Sequence, residues 1–170
     1  MRIALYVAIS WVLIVAPCAS SGAQTVAAFD FELIDTSLEG ETNGPRADEQ
    51  VRLVRLSDQL RQRLAESGRF TVLDIAPVAS EARGSNLQAC GGCDTSLAGR
   101  IGAELAITGT VQKVSNLILN MNIYVRDVSS GATIAAMSAD MRGNTDESWT
   151  RTLDWLVRNR LFAPGYGVRQ

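Results

Sequence analysis

The sequence predicts an α/β fold, a single two-layer sandwich with a mixed five-stranded sheet in the order β-α-β-α-β-β-β-α. The first observation is that an apolar segment, a leucine-rich helical segment and a second apolar segment follow one another in residues 25–75, which is the pattern of a β-α-β unit. The second is strict alternation of apolar and polar residues over 117–128, leading into a hairpin. The third is an amphipathic helix near the end of the chain, which can cover one sheet face.

The first part of the chain supplies the β-α-β unit. Residues 25–33 begin with a nearly continuous apolar run, as expected for a strand covered on both faces, and the polar residues 35–46 predict a long loop. Leucines recur at helical spacing over residues 48–67, and Gly68 ends this helix. Residues 70–75 then form a second strand, which is expected to lie parallel to the first.

The middle of the chain is predicted to contain a short helix and a third strand. Residues 77–92 form a loop or a broken helix. Asp94 is placed to cap a helix over residues 94–101. An apolar strand follows over residues 104–113.

Two antiparallel strands and a last helix complete the prediction. Alternation over 117–128 directs one set of side chains into the core: Leu117, Leu119, Met121, Ile123 and Val125. The other set faces a wetter surface: Asn120, Asn122, Tyr124 and Arg126. A turn at 129–131 leads to a fifth strand that ends near Arg142. Asn144 and Glu147 resemble a capping box opening the final helix. The inner face of that helix is formed by Trp149, Leu153, Leu156, Val157 and Leu161.

The N-terminal segment has the pattern of a secretory signal peptide. Arg2 precedes an uncharged, apolar run over residues 3–16, and the small residues 21–23 form a cleavage site before Gln24. The mature chain is therefore expected in the periplasm. We expect no transmembrane segment in it, because no stretch reaches the roughly 20 apolar residues that a membrane helix needs.

These features divide the chain into a signal peptide at 1–23, the α/β sandwich domain at 24–163 and a flexible tail at 164–170. A lipoprotein is the alternative, because Cys18 could carry a lipid. Pro17 argues against it, since lipid attachment favours a small residue at that position.

Composition excludes several classes of function. The chain has 16 basic and 18 acidic residues and a net charge of −2, which argues against nucleic acid as a partner because phosphate binding needs a dense basic face. It contains no histidine, which removes Ser-His and Cys-His catalysis and histidine-ligated zinc. No glycine-rich loop for phosphate is present, and we expect no cofactor, no metal and no catalytic residue. Lys113 is the only lysine.

Three segments carry a resemblance to known periplasmic domains. They are the apolar opening strand at 26–31, the segment at 101–111 and the hairpin at 123–131. Together they resemble the periplasmic α/β domain shared by the curli-secretion channel protein, the N-terminal domain of the Tol-system propeller protein and outer-membrane activators of peptidoglycan synthases. The chain also resembles a family of small exported proteobacterial proteins of unknown function, with Cys-Gly-Gly-Cys and the segment at 142–149 as its marks. Channel formation and lipid anchoring are not implied, because no membrane-inserting segment, propeller domain or convincing lipid-attachment site is present.

Cys90 and Cys93 are the residues with the clearest chemistry. In an oxidising compartment they are expected to pair, closing a tight loop that two glycines make feasible. One interpretation is a structural disulfide. The alternative is thiol-disulfide exchange, since Cys93 lies near a predicted helix N-terminus, where a thiolate is stabilised.

Acidic residues cluster after the first predicted strand. Asp30, Glu32 and Asp35 lie where the carboxyl ends of parallel strands usually bind ligands. A small-ligand loop is one interpretation of this cluster. A solvated acidic loop is the other, because the spacing fits no calcium-binding pattern.

A candidate partner surface combines residues from the last strand and the last helix. Arg142, Asn144 and Asp146 join these two elements, and Trp155 lies off the inner stripe of the helix. Tyr124 on the wetter sheet face is added to them. The alternative is that the joining segment only caps the helix.

The sequence thus favours a non-catalytic accessory or interaction protein of the cell envelope. The expected partner is a protein in the periplasm or at the outer membrane, or a second copy of the chain. A thiol-disulfide redox protein using Cys90 and Cys93 is the first alternative. A small-ligand or metal-binding accessory protein is the second.

Overall fold

One mixed sheet organises the protein around a central strand. The computed structural model describes residues 22–167. The strands are β1 (Gln24–Ala28), β2 (Glu32–Asp35), β3 (Phe70–Val72), β4 (Leu105–Lys113), β5 (Leu119–Asp127) and β6 (Thr133–Met141). The helices are α1 (Leu38–Asn43), α2 (Ala47–Glu66), α3 (Ala79–Arg83), α4 (Cys93–Arg100) and α5 (Asp146–Leu156), which continues into a π-helical turn, Val157–Leu161.

The strand order is β3-β1-β4-β5-β6, and β2 also pairs with β4. The pairs β1–β3, β1–β4 and β2–β4 are parallel, whereas β4–β5 and β5–β6 are antiparallel. This confirms a mixed α/β sheet that opens with a parallel β-α-β unit. The expected count of five strands is wrong, because the first predicted strand is divided into β1 and β2.

The division of the first strand is a bulge. Ala28 pairs with Ile107 and Glu32 pairs with Thr110, so β2 continues along β4 after one extra residue. Inside the bulge, the Phe31 N–H donates to the Ser57 hydroxyl of α2 at 2.9 Å. The Phe31 ring lies against Gly109 of β4, and a side chain at Gly109 would overlap that ring.

Helices cover both faces of the sheet, so the predicted two-layer arrangement is only partly right. Helices α2 and α5 pack on one face and enclose the larger core. Helices α3 and α4 pack on the other face, mainly against β1 and β4, and form a second, smaller core. Residues 77–92, predicted as a loop or a broken helix, contribute α3 and buried apolar side chains to this core, which is why the second face is covered.

Two predicted details of the chain's second half need correction. Leu117 does not point into the core, because the Val114 N–H bonds to the Ile118 carbonyl at 3.0 Å and closes a turn before β5 begins. Asn144 is not the cap of α5. The Thr145 hydroxyl accepts the Ser148 N–H at 3.2 Å instead.

The inner face of the last helix is confirmed, since its five predicted residues are all buried: Trp149, Leu153, Leu156, Val157 and Leu161. Of the predicted tail, the structure describes Pro164–Gly167 as a short 3₁₀ turn in which Tyr166 packs against the larger core. The predicted signal peptide falls outside the described residues except for its last two. Within residues 22–167, none of the helices has the length and apolar character needed to cross a membrane.

Candidate functional site

The side chain of Lys113 is buried at the carboxyl end of β4 and holds three carboxylates. Its ammonium donates to Glu49 Oε1 of α2 at 2.7 Å, and to Asp35 Oδ2 and Glu39 Oε2 at 3.1 Å each. Both Lys113 and Glu49 are fully shielded from solvent. We call these four residues, with Asn116 and Asn144, the Lys113 network.

Two asparagines extend the network to other elements. Asn144 donates to Glu49 Oε1 at 2.6 Å and to Asn116 Oδ1 at 3.1 Å, while Asn116 donates to Glu39 Oε2 at 2.9 Å. The indole N–H of Trp149 in turn donates to Asn144 Oδ1 at 3.1 Å. The network therefore ties together β2, α1, α2, the β4–β5 turn and the start of α5.

The network stabilises the charged forms of Asp35, Glu39 and Lys113. Burial alone would raise the pKa of Asp35, but hydrogen bonds from Ser37 and Lys113 hold that pKa below its ordinary value. Hydrogen bonds from Lys113, Asn116 and Arg46 lower the pKa of Glu39. Burial would lower the pKa of Lys113, yet its carboxylate partners raise that pKa well above the ordinary value. These groups are consequently ionised and paired at neutral pH.

Large apolar side chains stand exposed above the network. Leu38 of α1 is 78% exposed, and Val114, Leu117 and Ile118 of the β4–β5 turn are 58%, 73% and 62% exposed. We call these four residues the apolar tip. The hydrogen bond from Asn116 to Glu39 joins the β4–β5 turn to α1, so Leu38 of α1 is held close to the three tip residues of the turn. Three of these four residues lie within residues 114–118, and clustered exposed apolar side chains are typical of a contact surface.

The three residues of the predicted ligand loop do not converge on one point. Asp35 faces Lys113, and Asp30 pairs with Arg61 of α2. Glu32 accepts the Leu87 N–H at 3.2 Å. Burial raises the pKa of Glu32. Asp30 and Glu32 both line a cavity of about 360 Å³ between α2 and α3.

The predicted partner residues fall into three places. Asn144 belongs to the Lys113 network, and Asp146 pairs with Arg52 and Arg55 of α2. Arg142 is exposed after the end of β6. The other two lie apart: Trp155 is 46% exposed on α5, and Tyr124 is half-buried on the sheet face opposite α5.

Cys90 and Cys93 form a disulfide, with Cα atoms 5.7 Å apart. Cys93 is the first residue of α4, and its N–H points to the Cys90 sulfur at 3.2 Å. The predicted cap Asp94 is instead buried, and it accepts a hydrogen bond from Arg126 of β5 at 3.3 Å. Within the described chain, no group of three or more Cys, Asp or Glu side chains is arranged to hold a metal ion.

Sequence reasoning missed the Lys113 network and the apolar tip. One available signal was that the only lysine follows an apolar strand at an inward-facing position. Another was the run Leu117-Ile118-Leu119, where three consecutive apolar residues break the alternation expected of a half-exposed strand.

The fold and this site define a small α/β domain whose charged side chains fasten one end of the sheet beneath an exposed apolar tip. The chain belongs to the DUF3280 family, described as "Protein of unknown function (DUF2380)", whose model matches residues 24–161. Its resemblance to a family of unknown function is thereby confirmed. No curated protein matches the chain significantly.

Several solved structures are similar to this chain at low sequence identity. Lipoprotein GNA1162 from Neisseria meningitidis is similar with a TM-score of 0.52 and 16% identity, over 81% of this chain and 94% of that chain. The LpoB C-terminal domain from Salmonella enterica has a TM-score of 0.49 and 16% identity, over 75% and 87%. TolB from Acinetobacter baumannii has a TM-score of 0.38 and 15% identity, over 78% and 27%. The expected likeness to the curli-secretion channel protein stays a prediction.

Proposed function

We propose that this protein is a non-catalytic accessory protein of the cell envelope, which acts in the periplasm by binding another protein through its apolar tip. The observation that carries the proposal is the exposure of Leu38, Val114, Leu117 and Ile118 at one end of the sheet. Leaving such side chains in water is unfavourable by about 25 cal/mol per Å², and a partner would remove that cost.

The rigidity of the tip supports a binding role. The Lys113 network lies directly beneath it and fixes α1 against the β4–β5 turn. A surface held in one conformation loses little conformational entropy when a partner binds. The charged groups of the network are engaged with one another, which favours a structural role for them over a catalytic one.

Export of the chain is the second part of the proposal. It rests on the signal-peptide pattern of residues 1–23. The shared fold of a lipoprotein, GNA1162, is in keeping with an envelope protein. The intact mass of the mature protein tests this part: a chain beginning at Gln24 supports it, whereas lipid on Cys18 would make the protein a lipoprotein.

Photocrosslinking in living cells tests the tip. A benzophenone amino acid replaces Leu117 in one strain and Trp155, which is also exposed but lies on α5, in the matched control. We expect an adduct with a different protein from position 117 only, and we expect Ile118→Glu to abolish it. An adduct of twice the chain's mass would identify a second copy as the partner. Absence of any adduct, with binding of the pure protein to phospholipid vesicles, would refute a protein partner.

Thiol-disulfide exchange is the second candidate function. It is favoured by the position of Cys93 at the first residue of α4, because the helix dipole stabilises a thiolate there. The reduction potential of the Cys90–Cys93 pair distinguishes the two functions. A value below about −300 mV indicates a structural disulfide, and a value near −200 mV or higher indicates a labile pair.

A further inference from the structure

The sheet lacks a strand beside β2. One edge of β2 pairs with β4, and no strand of the described chain lies along its other edge. On that side, β3 pairs with β1 and ends at Val72. The position in line with β3 is therefore open next to β2, and we call it the β2 slot.

Backbone groups of β2 face the slot without a strand to pair with. The Thr36 N–H donates to the Lys113 carbonyl of β4 at 2.9 Å. Because backbone direction alternates along a strand, Ile34 and Glu32 also face β4, whereas the N–H and C=O groups of Leu33 and Asp35 point toward the slot. An unpaired strand edge of this kind is a template for another chain.

The slot has two walls and an apolar floor. Helix α2 contributes Leu53 and Val54, and α3 contributes Ala79 and Ala82, to the cavity of about 360 Å³ that lies along β2. Leu33 forms part of the floor. A second cavity of about 260 Å³ also borders Leu33 and is lined by Gly44 and Pro45. The two cavities lie along successive parts of β2, so an extended segment could lie beside this strand.

Among the described residues, the slot contains one carboxylate without an ion pair, that of Glu32. Asp30 is neutralised by Arg61. Arg83 of α3 also lines the cavity but forms no ion pair with Glu32, which has no ion-pair partner within residues 22–167 and accepts only the Leu87 N–H. Partial burial of this carboxylate raises its pKa, so a cation beside it would be favourable.

We propose that the β2 slot binds an extended segment of a partner protein as an added strand, with a basic side chain of that segment placed against Glu32. Main-chain hydrogen bonds to Leu33 would supply affinity, and alternate side chains would pack against α2 and α3. The free strand edge favours a peptide over a small molecule, which would leave those backbone groups unpaired. The inference extends the proposed binding function to a second surface, separate from the apolar tip.

A hexapeptide array tests the slot directly. The arrays carry Arg, Gln or Glu at the third position and random residues elsewhere, and they are incubated with the purified, fluorescently labelled protein. We expect retention on Arg peptides to exceed retention on Glu peptides by about tenfold, the effect of roughly 1.4 kcal/mol. Glu32→Gln is expected to remove this preference while neutral peptides are still retained.

Two variants are expected to prevent a strand from binding in the slot. Leu33→Pro removes the N–H that faces the slot and keeps the hydrogen bonds between β2 and β4, because Pro is tolerated where the N–H faces away from a neighbouring strand. Val54→Trp fills the mouth of the slot from the α2 wall and serves if the proline variant does not fold. Val51→Trp is the matched control, since Val51 is similarly exposed one turn away and does not line the cavity. Both slot variants should lose peptide retention, and the control should keep it.

The outcomes separate this proposal from the tip proposal. Peptide retention that survives both slot variants, or no retention at all, would overturn the slot. Binding of dodecylamine without any peptide binding would also overturn it and identify a small-ligand cavity. Ile118→Glu changes only the tip, so it should leave peptide retention intact even where it abolishes crosslinking.

Discussion

Replacing Lys113 with methionine should strongly destabilise the protein. The substitution keeps the volume of the side chain but removes the ammonium that holds Asp35, Glu39 and Glu49. Breaking a buried ion pair from one side costs about 3–5 kcal/mol, because it leaves an uncompensated charge. That is a large fraction of the roughly 5–15 kcal/mol by which domains are stable. Urea unfolding followed by circular dichroism measures the change.

The three carboxylates do not share this cost equally. Glu39 keeps its hydrogen bonds from Arg46 and Asn116, and Asp35 keeps those from Ser37. Glu49 keeps the Asn144 hydrogen bond to its Oε1, but it is fully buried and its Oε2 has no hydrogen-bond partner among the described residues. The penalty therefore falls mainly on Glu49, whose remaining cation, Arg46, lies 3.9 Å from Oε1. With a denaturant slope of about 2 kcal/mol/M, the urea midpoint should fall by about 1.5–2.5 M.

A double variant separates charge from packing. Lys113→Met combined with Glu49→Leu removes both buried charges, and apolar replacement of a buried pair is often neutral. We expect the double variant to recover at least about half of the loss. Arg151→Met, which breaks an exposed pair with Glu147, should change stability by no more than about 0.5 kcal/mol. Our reasoning is refuted if Lys113→Met is within about 1 kcal/mol of the wild type, or if the double variant is no more stable than the single one.

Three further predictions concern the disulfide, acid stability and the bulge. Replacing both Cys90 and Cys93 with serine should cost about 2 kcal/mol for this short loop, measured by thermal unfolding; a null effect would contradict a structural role. Hydrogen bonds from the hairpin serines lower the pKa of Asp127 to about 2. In the unfolded chain the pKa of Asp127 is about 4. The stability that Asp127 contributes to the fold is therefore fully present above about pH 4 and is lost as the pH falls toward about 2. Asp127→Asn should flatten the pH dependence in this window, and equal slopes would count against it. Gly109→Ala should cost about 1–3 kcal/mol because its Cβ would overlap Phe31, and Phe31→Ala should reduce that cost in a double-variant cycle.

Elements governed by local periodicity were predictable from the sequence. The leucine pattern identified α2 within about two residues, and the spacing from Trp149 to Leu161 identified the buried face of the last helix. The parallel pairing of β1 with β3 followed from the β-α-β order. For the two helices the determining contacts lie on one face of one element, and for the two strands the pairing follows from their order along the chain.

The bulge between β1 and β2 could not be read in the same way. Residues 25–33 look like one strand, and the interruption arises from the register against β4 and the hydrogen bond from Phe31 to Ser57. Both contacts join residues distant in sequence. The covering of the second sheet face by α3 and α4 depends in the same way on tertiary packing.

The acidic residues after the first predicted strand were interpreted as a small-ligand loop or as a solvated loop, and ligand binding there stays a prediction. Asp30 and Glu32 line a cavity between α2 and α3. Asp35 instead meets Lys113, which lies 78 residues further along the chain. Such a pairing depends on the register of β2 with β4, which the spacing of acidic residues does not encode.

The burial of Lys113 also determines how the protein responds to amine-directed reagents. Lys113 is the only lysine and its side chain is completely shielded, so an acylating reagent meets only the α-amino group while the fold is closed. A second acyl group can enter only a molecule whose network has opened, so the growth of the doubly acylated fraction in the mass spectrum measures the rate of opening without any engineered label. Amine coupling to a solid support would therefore hold the folded chain by its first residue alone.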